Sequence, residues 1–302
     1  MTDNEYLKKI LDNQKLEEDC SELKNLRERK GEVEAFLREK FKGSWIGFFY
    51  AGSYKKKTLI KELYDLDLTC YFLRDDLNAG ATLEEIYNNV AKALREKYFV
   101  KEKASALRIE SKDAKEDFHI DVVPGRYIEA INGDTKKDVY LYRNVEDEHR
   151  LKTNLYLHLK HIRDSELRKV IRLAKLWRIR NGLQIRTFPL ELLVIKVLKD
   201  SENKEQLDDR LKEFWQELQD NIKNIIIVDP ANSNNDLSEV FDDTVKNDLS
   251  KAAERTLENI KASGWEAIFG KIEETSDDEK IARIQRVVAS SSFVTAKPYC
   301  DR

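Results

Sequence analysis

The chain is poor in the residues that interrupt or staple a fold. It holds 4 Pro and 10 Gly in 302 residues, too few for a collagen-like or low-complexity chain. Its 3 cysteines, Cys20, Cys70 and Cys300, stand far apart. Neither the paired spacing of a zinc site nor a redox Cys-x-x-Cys is present, and free thiols in a reducing cytosol are expected. No apolar run reaches the roughly 18 residues of a membrane-spanning helix, so no membrane partner is expected. The opening MTDNEYLKKILDNQKLEEDC has no apolar signal stretch, and a cytoplasmic location is expected. Nor does one sign of charge dominate: 54 Lys+Arg face 57 Asp+Glu, a net charge of −3. Proteins with a long nucleic-acid footprint carry a basic surplus, so any basic surface here is local.

What is present is a mixture of apolar and charged residues, 41% and 37%. At roughly 150 residues per domain the length suggests two domains or one bilobal unit. Apolar residues recur every three or four positions over 3–41, which predicts one long helix, with a bend at Gly31 and an end at Gly43-Ser44. The aromatic run over 45–51 and LDLTCYF over 66–72 read as strands, 82–97 as a helix, and 106–109 and 118–123 as two further strands, the last stopping at the turn signal Pro124-Gly125. From residue 151 the pattern is helical again: Leu151, Leu155, Leu159 and Ile162 form one stripe, and further helices are predicted around 170–177, 190–198, 204–223 and 236–262. IIIVDPANSNND reads as an apolar run followed by a polar loop. The order predicts an α+β, bilobal molecule: residues 1–150 form a long N-terminal helix and a mixed sheet lobe, and residues 151–302 form a helical lobe. A cleft between lobes is the default ligand site.

Three acids point to chemistry. Asp65 and Asp67 open a strand two residues apart, so the period of two places both carboxylates on one face. Asp121 interrupts the apolar strand FHIDVV. Half-buried carboxylates in close company are costly unless cations meet them. Hard divalent ions with oxygen ligands do so, and two such ions, Mg²⁺ with Mn²⁺ as a substitute, can hold the attacking and leaving oxygens of a phosphoryl transfer. Upstream, Gly52-Ser53 follows a strand and opens YKKKT, where Gly lets backbone approach a phosphate and Ser53 adds a hydroxyl.

Each piece alone is common. Their conjunction, GSYKKKTLIKELYDLD followed by FHIDVVPG, resembles the polymerase-β-like nucleotidyltransferases. Across most of the chain it resembles the group that includes oligoadenylate synthetase, cyclic GMP-AMP synthase and the bacterial CD-NTases of anti-phage signalling. VIRLAKLWRIRNG resembles the CD-NTase helix with a phosphate-binding lysine, matched by Lys175. TFPLELL resembles the segment whose hydroxyl meets the triphosphate and whose aromatic stacks on the base, matched by Thr187 and Phe188. The polar loop resembles the family's Asp-Pro-x-Asn loop.

The resemblance implies an enzyme that takes ATP, or other NTPs, as its Mg²⁺ salt. Asp65, Asp67 and Asp121 are then the metal ligands and catalytic acids, Asp121 being the general base. Gly52, Ser53, Lys175, Thr187 and Phe188 hold the nucleotide. Pyrophosphate leaves, and repeated transfer closes a cyclic oligonucleotide, with adenine-rich cyclic trinucleotides such as cyclic tri-AMP closest by pattern. Implied partners are a HORMA-type regulatory protein and a downstream effector that senses the product; no composition signal supports a nucleic-acid activator. Two other readings stay open: an RNA-extending enzyme of CCA-adding or poly(A) type, and an inactive nucleotide-binding module. His119 shares the Asp121 face, His158 and His161 read as ordinary helix residues, and Asn154 is either a reader of the acceptor base or a helix cap.

Overall fold

The computed structural model describes residues 1–16, 20–63, 66–113, 118–144, 149–202, 206–237 and 241–272. Asp65 and Cys300 lie outside them. Among the described residues no helix is long and apolar enough to cross a membrane.

The N-terminal segment is two helices, α1 (Asp3–Asn13) and α2 (Ser21–Lys40). Gly31 lies within α2, and the break comes earlier. Gln14 explains part of it: its side chain bonds Glu62 through both amide atoms and its carbonyl accepts from the Lys61 N–H, so the end of α1 is tied to a distant turn. Thr2 and Glu5 form a capping box that starts α1.

Next come β1 (Ile46–Gly47), the short α3 (Gly52–Lys56), β2 (Leu66–Phe72) and α4 (Leu83–Lys97), which Thr82 and Glu85 cap in the same way. Then follow β3 (Phe99–Glu102), β4 (Leu107–Glu110), β5 (His119–Tyr127), β6 (Val139–Tyr142) and β7 (Arg150–Thr153). These strands form one mixed sheet in the order β1-β2-β5-β4-β3, with β6 on the far end of β5 and β7 beside β6. Among the described residues only β2 and β5 pair in parallel in this sheet.

Alternation decides the two faces. Leu68, Cys70 and Phe72 of β2 and Ile120 and Val122 of β5 are buried in one core with Val33 and Leu37 of α2 and Ile86, Val90 and Leu94 of α4. Asp67, Thr69 and Asp121 therefore look out from the opposite face. The turn expected at Pro124-Gly125 does not form, and β5 continues to Tyr127. Leu151, expected on a helix, lies on β7.

The second half is helical: α5 (Leu155–Asp164), α6 (Arg168–Arg180), α7 (Thr187–Leu198), α8 (Leu207–Asn221), α9 (Asp243–Ser263) and α10 (Glu266–Phe269). The segment read as a polar loop pairs as a hairpin of β8 (Val228–Asp229) and β9 (Asn232–Asp236). The helical core gathers Trp177, Phe214, Trp215, Trp265 and Phe269. It also takes in Tyr6, Leu7, Ile10 and Leu11 of α1, and Ile60 just after α3. A division of the chain at residue 150 is thus crossed twice by packing.

Candidate active site

The site begins at the centre of the sheet. In the parallel pair β2–β5 the Cα partners are Asp67 and Asp121, and in the antiparallel pair β4–β5 Asp121 is opposite Arg108. Cross-strand partners share a face, so Arg108, Asp121 and Asp67 stand in one row. Asp121 is buried and strongly paired. Arg108 donates from Nε to Oδ1 at 2.9 Å and from a terminal nitrogen to Oδ2 at 3.1 Å, and Lys103 Nζ reaches Oδ2 at 2.6 Å. Burial alone would raise the Asp121 carboxyl, but the Arg108 hydrogen bonds and the charge of Lys103 outweigh it and hold it below the ordinary carboxylate range. The anionic form suits a metal ligand. It is a poor setting for the general base expected at Asp121, because a base works best with a pKa near the working pH.

The turn before α3 lies against this row. The Ala51 N–H donates to the Asp67 carbonyl at 2.8 Å. Gly52 has φ +58, and a Cβ there would sit 1.6 Å from Oδ2 of Asp67. Glycine is required twice, by the left-handed backbone and by the carboxylate against it. Ser53 follows on the first turn of α3.

Ser53 leads across to the helical lobe. Lys175 of α6, 1% exposed, donates to Ser53 Oγ at 2.9 Å, Thr58 Oγ1 at 2.8 Å and the Thr58 carbonyl at 3.1 Å, and pairs with Glu191 Oε1 at 2.6 Å. Glu191 of α7 is wholly buried; its other oxygen accepts from Lys56 Nζ of α3 at 2.7 Å, and Thr58 Oγ1 donates to Oε1 at 2.7 Å. Burial pushes the Lys175 ammonium down to about 8 against the pull of Glu191. At Glu191 burial acts upward, but Lys56 and Lys175 together hold the carboxyl down near about 2. One anion shared by two cations stays ionised, whereas each cation has only part of an anion. Lys175, expected to grip a triphosphate, thus has its donors committed to Ser53, Thr58 and Glu191.

Phe188 opens α7 next to Thr187. Its ring lies 4.6 Å from that of His158, and Lys56 Nζ stands 4.4 Å from its centroid. Thr187 Oγ1 accepts from Arg178 at 3.2 Å. His158 does not stand alone: its Nε2 lies 2.7 Å from Asp229 Oδ1, and Asp229 also accepts from the Ala231 N–H and from Asn235. Asn154 is a cap. Its Oδ1 accepts from the Leu157 N–H and its Nδ2 donates to the Lys136 carbonyl and to Asp138, which is the cap of the two roles the sequence left open. His119 is half-buried on the Asp121 face.

Residues 1–148 match the model of the Second Messenger Oligonucleotide or Dinucleotide Synthetase domain. Residues 1–148 are a domain of this family, the CD-NTases. They are nucleotidyltransferases that use divalent metals. Solved structures share the fold. CdnC of E. coli MS115-1 in complex with a HORMA protein is 20% identical with TM-score 0.66, over 91% of this chain and 99% of that one. CdnG of Bradyrhizobium diazoefficiens with GTP is 13% identical with TM-score 0.66, over 93% and 97%. DncV of Vibrio cholerae, a cyclic AMP-GMP synthase, is 17% identical with TM-score 0.62, over 82% and 76%. No curated protein matches the chain.

The CD-NTase row offers a divalent ion carboxylate donors on neighbouring strands, Asp67 under the glycine turn and Asp121, whose oxygens are held here by Arg108 and Lys103 and would have to be shared with the metal. Among the described residues no cluster of three or more His, Cys, Asp or Glu forms a metal site, and Asp65, the expected third acid, is outside them. Sequence reasoning missed Glu191, Lys56, Thr58, Arg108 and Lys103. A lone acid in TFPLELLVIKVL was a legible sign of a buried ion pair. Which of three consecutive lysines turns inward was not.

Proposed function

We propose that this CD-NTase is a cyclic oligonucleotide synthase that consumes ATP with Mg²⁺, in the cytoplasm, to make a second messenger for anti-phage (CBASS-type) signalling. The observation that carries the reading is Asp67 in register with Asp121 beneath the Gly52-Ser53 turn. Asp65, Asp67 and Asp121 are the residues that would hold Mg²⁺, or Mn²⁺ in its place, which when bound neutralises phosphate charge and acidifies the attacking hydroxyl. Gly52 and Ser53 give the phosphates close backbone and a hydroxyl. Thr187 lines the triphosphate side, and Phe188 stacks on the base, a contact of about 1–3 kcal/mol in single-strand binders. A ribose hydroxyl attacks the α-phosphorus, the bond to pyrophosphate breaks, and repetition closes the ring. Cyclic tri-AMP is the product proposed, on the likeness of LAKLWR and TFPLELL to the trinucleotide-making group. CdnC, similar over its whole length, was solved with a HORMA protein, which supports a HORMA-type regulator for this chain; an effector that senses the product is part of the same proposal.

The test is product analysis. Labelled NTPs with Mg²⁺ are expected to give phosphatase-resistant cyclic product by mass spectrometry. Asp67→Asn is expected to lower its yield ~10³-fold, the size of several kcal/mol of lost transition-state charge stabilisation. Undiminished product from Asp67→Asn together with Asp121→Asn would overturn the site.

A further inference from the structure

The ion network between the lobes exceeds what phosphate binding requires. Glu191 is 0% exposed and carries two lysines, one from each lobe: Lys56 from α3 and Lys175 from α6. Each lysine has a second contact at the candidate nucleotide site. Lys175 donates to the Ser53 hydroxyl at 2.9 Å. Lys56 stands 4.4 Å from the centroid of Phe188, and Phe188 lies three residues before Glu191 on α7, hence on the same helix face. Thr58, between the lysines, donates to Glu191 and accepts from Lys175. One carboxylate is therefore linked in one direction to the phosphate end of the site and in the other to the base platform.

We propose that Glu191 is a positioning residue for nucleotide binding, acting through Lys175 on Ser53 and through Lys56 on Phe188, so that both ends of the NTP meet groups set by one buried anion. The proposal rests on the nucleotide site described above. It assigns Lys56 a role beside Phe188 and gives Lys175 an indirect role, since its donors are already committed. A buried ion network that served folding alone would have no reason to touch both the hydroxyl and the aromatic ring of the site.

Two measurements on the full chain decide it. Binding of a non-hydrolysable ATP analogue is followed by equilibrium dialysis, and KM and kcat are separated by varying NTP. Glu191→Gln keeps the shape and removes the charge. The analogue is expected to bind at least ~10-fold more weakly, with KM rising by at least that factor and more than kcat falls. A purely structural role would lower the active fraction, and so kcat, and leave Kd and KM unchanged; that result overturns the proposal. Where Glu191→Gln folds poorly, Lys56→Met with Glu191→Gln removes one buried cation along with the anion. Weak binding in that folded double variant supports the proposal, and wild-type affinity overturns it. Failure of the wild-type chain to bind the analogue at all would instead overturn the nucleotide reading beneath it.

Discussion

Gly52 is the residue on which the site depends most directly. It has a left-handed φ and faces Asp67 with no room for a Cβ. Gly52→Ala forces either the turn or the carboxylate to move. The backbone cost is about 1–2 kcal/mol, a fall of a few degrees in melting temperature for a chain of this size. Misplacement of about 1 Å at a reacting centre costs ~10²-fold in rate, so product formation is expected to fall far more than stability. Parallel mass spectrometry and thermal melts check this; equal losses in both would mean that the turn serves the fold alone. The glycine and the acids were legible at this scale as types and order. Arg108 and Lys103 were not, because their role comes from register across β4 and β5 and from a side chain at a strand's end, and neither leaves a spacing in the sequence.

At the scale of elements, periodicity identified β2, α4 and the main helices well, since each buries one face and alternates polar residues on the other. It failed where local signals conflict with pairing. Pro124-Gly125 reads as a turn, yet Pro124 is opposite Cys70 and Gly125 opposite Tyr71 in the parallel ladder. Gly125 is there for closeness: a Cβ would come 2.7 Å from Leu141 and 2.8 Å from Val139 of β6. Gly125→Val is therefore expected to destabilise by about 1–3 kcal/mol through overpacking, read as a lower denaturant midpoint, and an unchanged midpoint would refute the close packing of β5 on β6. β3, β6 and β7 escaped notice; each is four residues long, but so is β4, which was legible, so length alone does not hide a strand. The hairpin β8–β9 escaped because Asn and Asp favour loops unless tertiary contacts, here Asp229 with His158 and Asn235, commit their side chains.

At the scale of the molecule the lobes are joined by packing of α1 and Ile60 into the helical core and by the buried network at Glu191. Removing one partner of a buried ion pair costs about 3–5 kcal/mol, so Glu191→Gln is expected to melt well below wild type at neutral pH. The pH dependence has a definite sign. The Glu191 carboxyl is held down near about 2 from an ordinary 4.5, so its contribution is complete above that ordinary value and is lost as pH falls toward the lower one. The gap in melting temperature between wild type and Glu191→Gln is therefore expected to narrow between about pH 6 and pH 3; a constant gap would mean that the carboxylate charge does not hold the lobes. Sequence by itself determined the α+β order of elements, the Gly-Ser and Asp motifs and their family, because local spacing and periodicity carry them. Only the tertiary structure decided that α1 belongs to the helical core, that Asp121 is gripped by Arg108 and Lys103, and that Lys175 reaches Ser53 and Glu191. Those contacts join residues far apart in the chain, and the free energy that selects them comes from burial and charge pairing between elements, which no local pattern records.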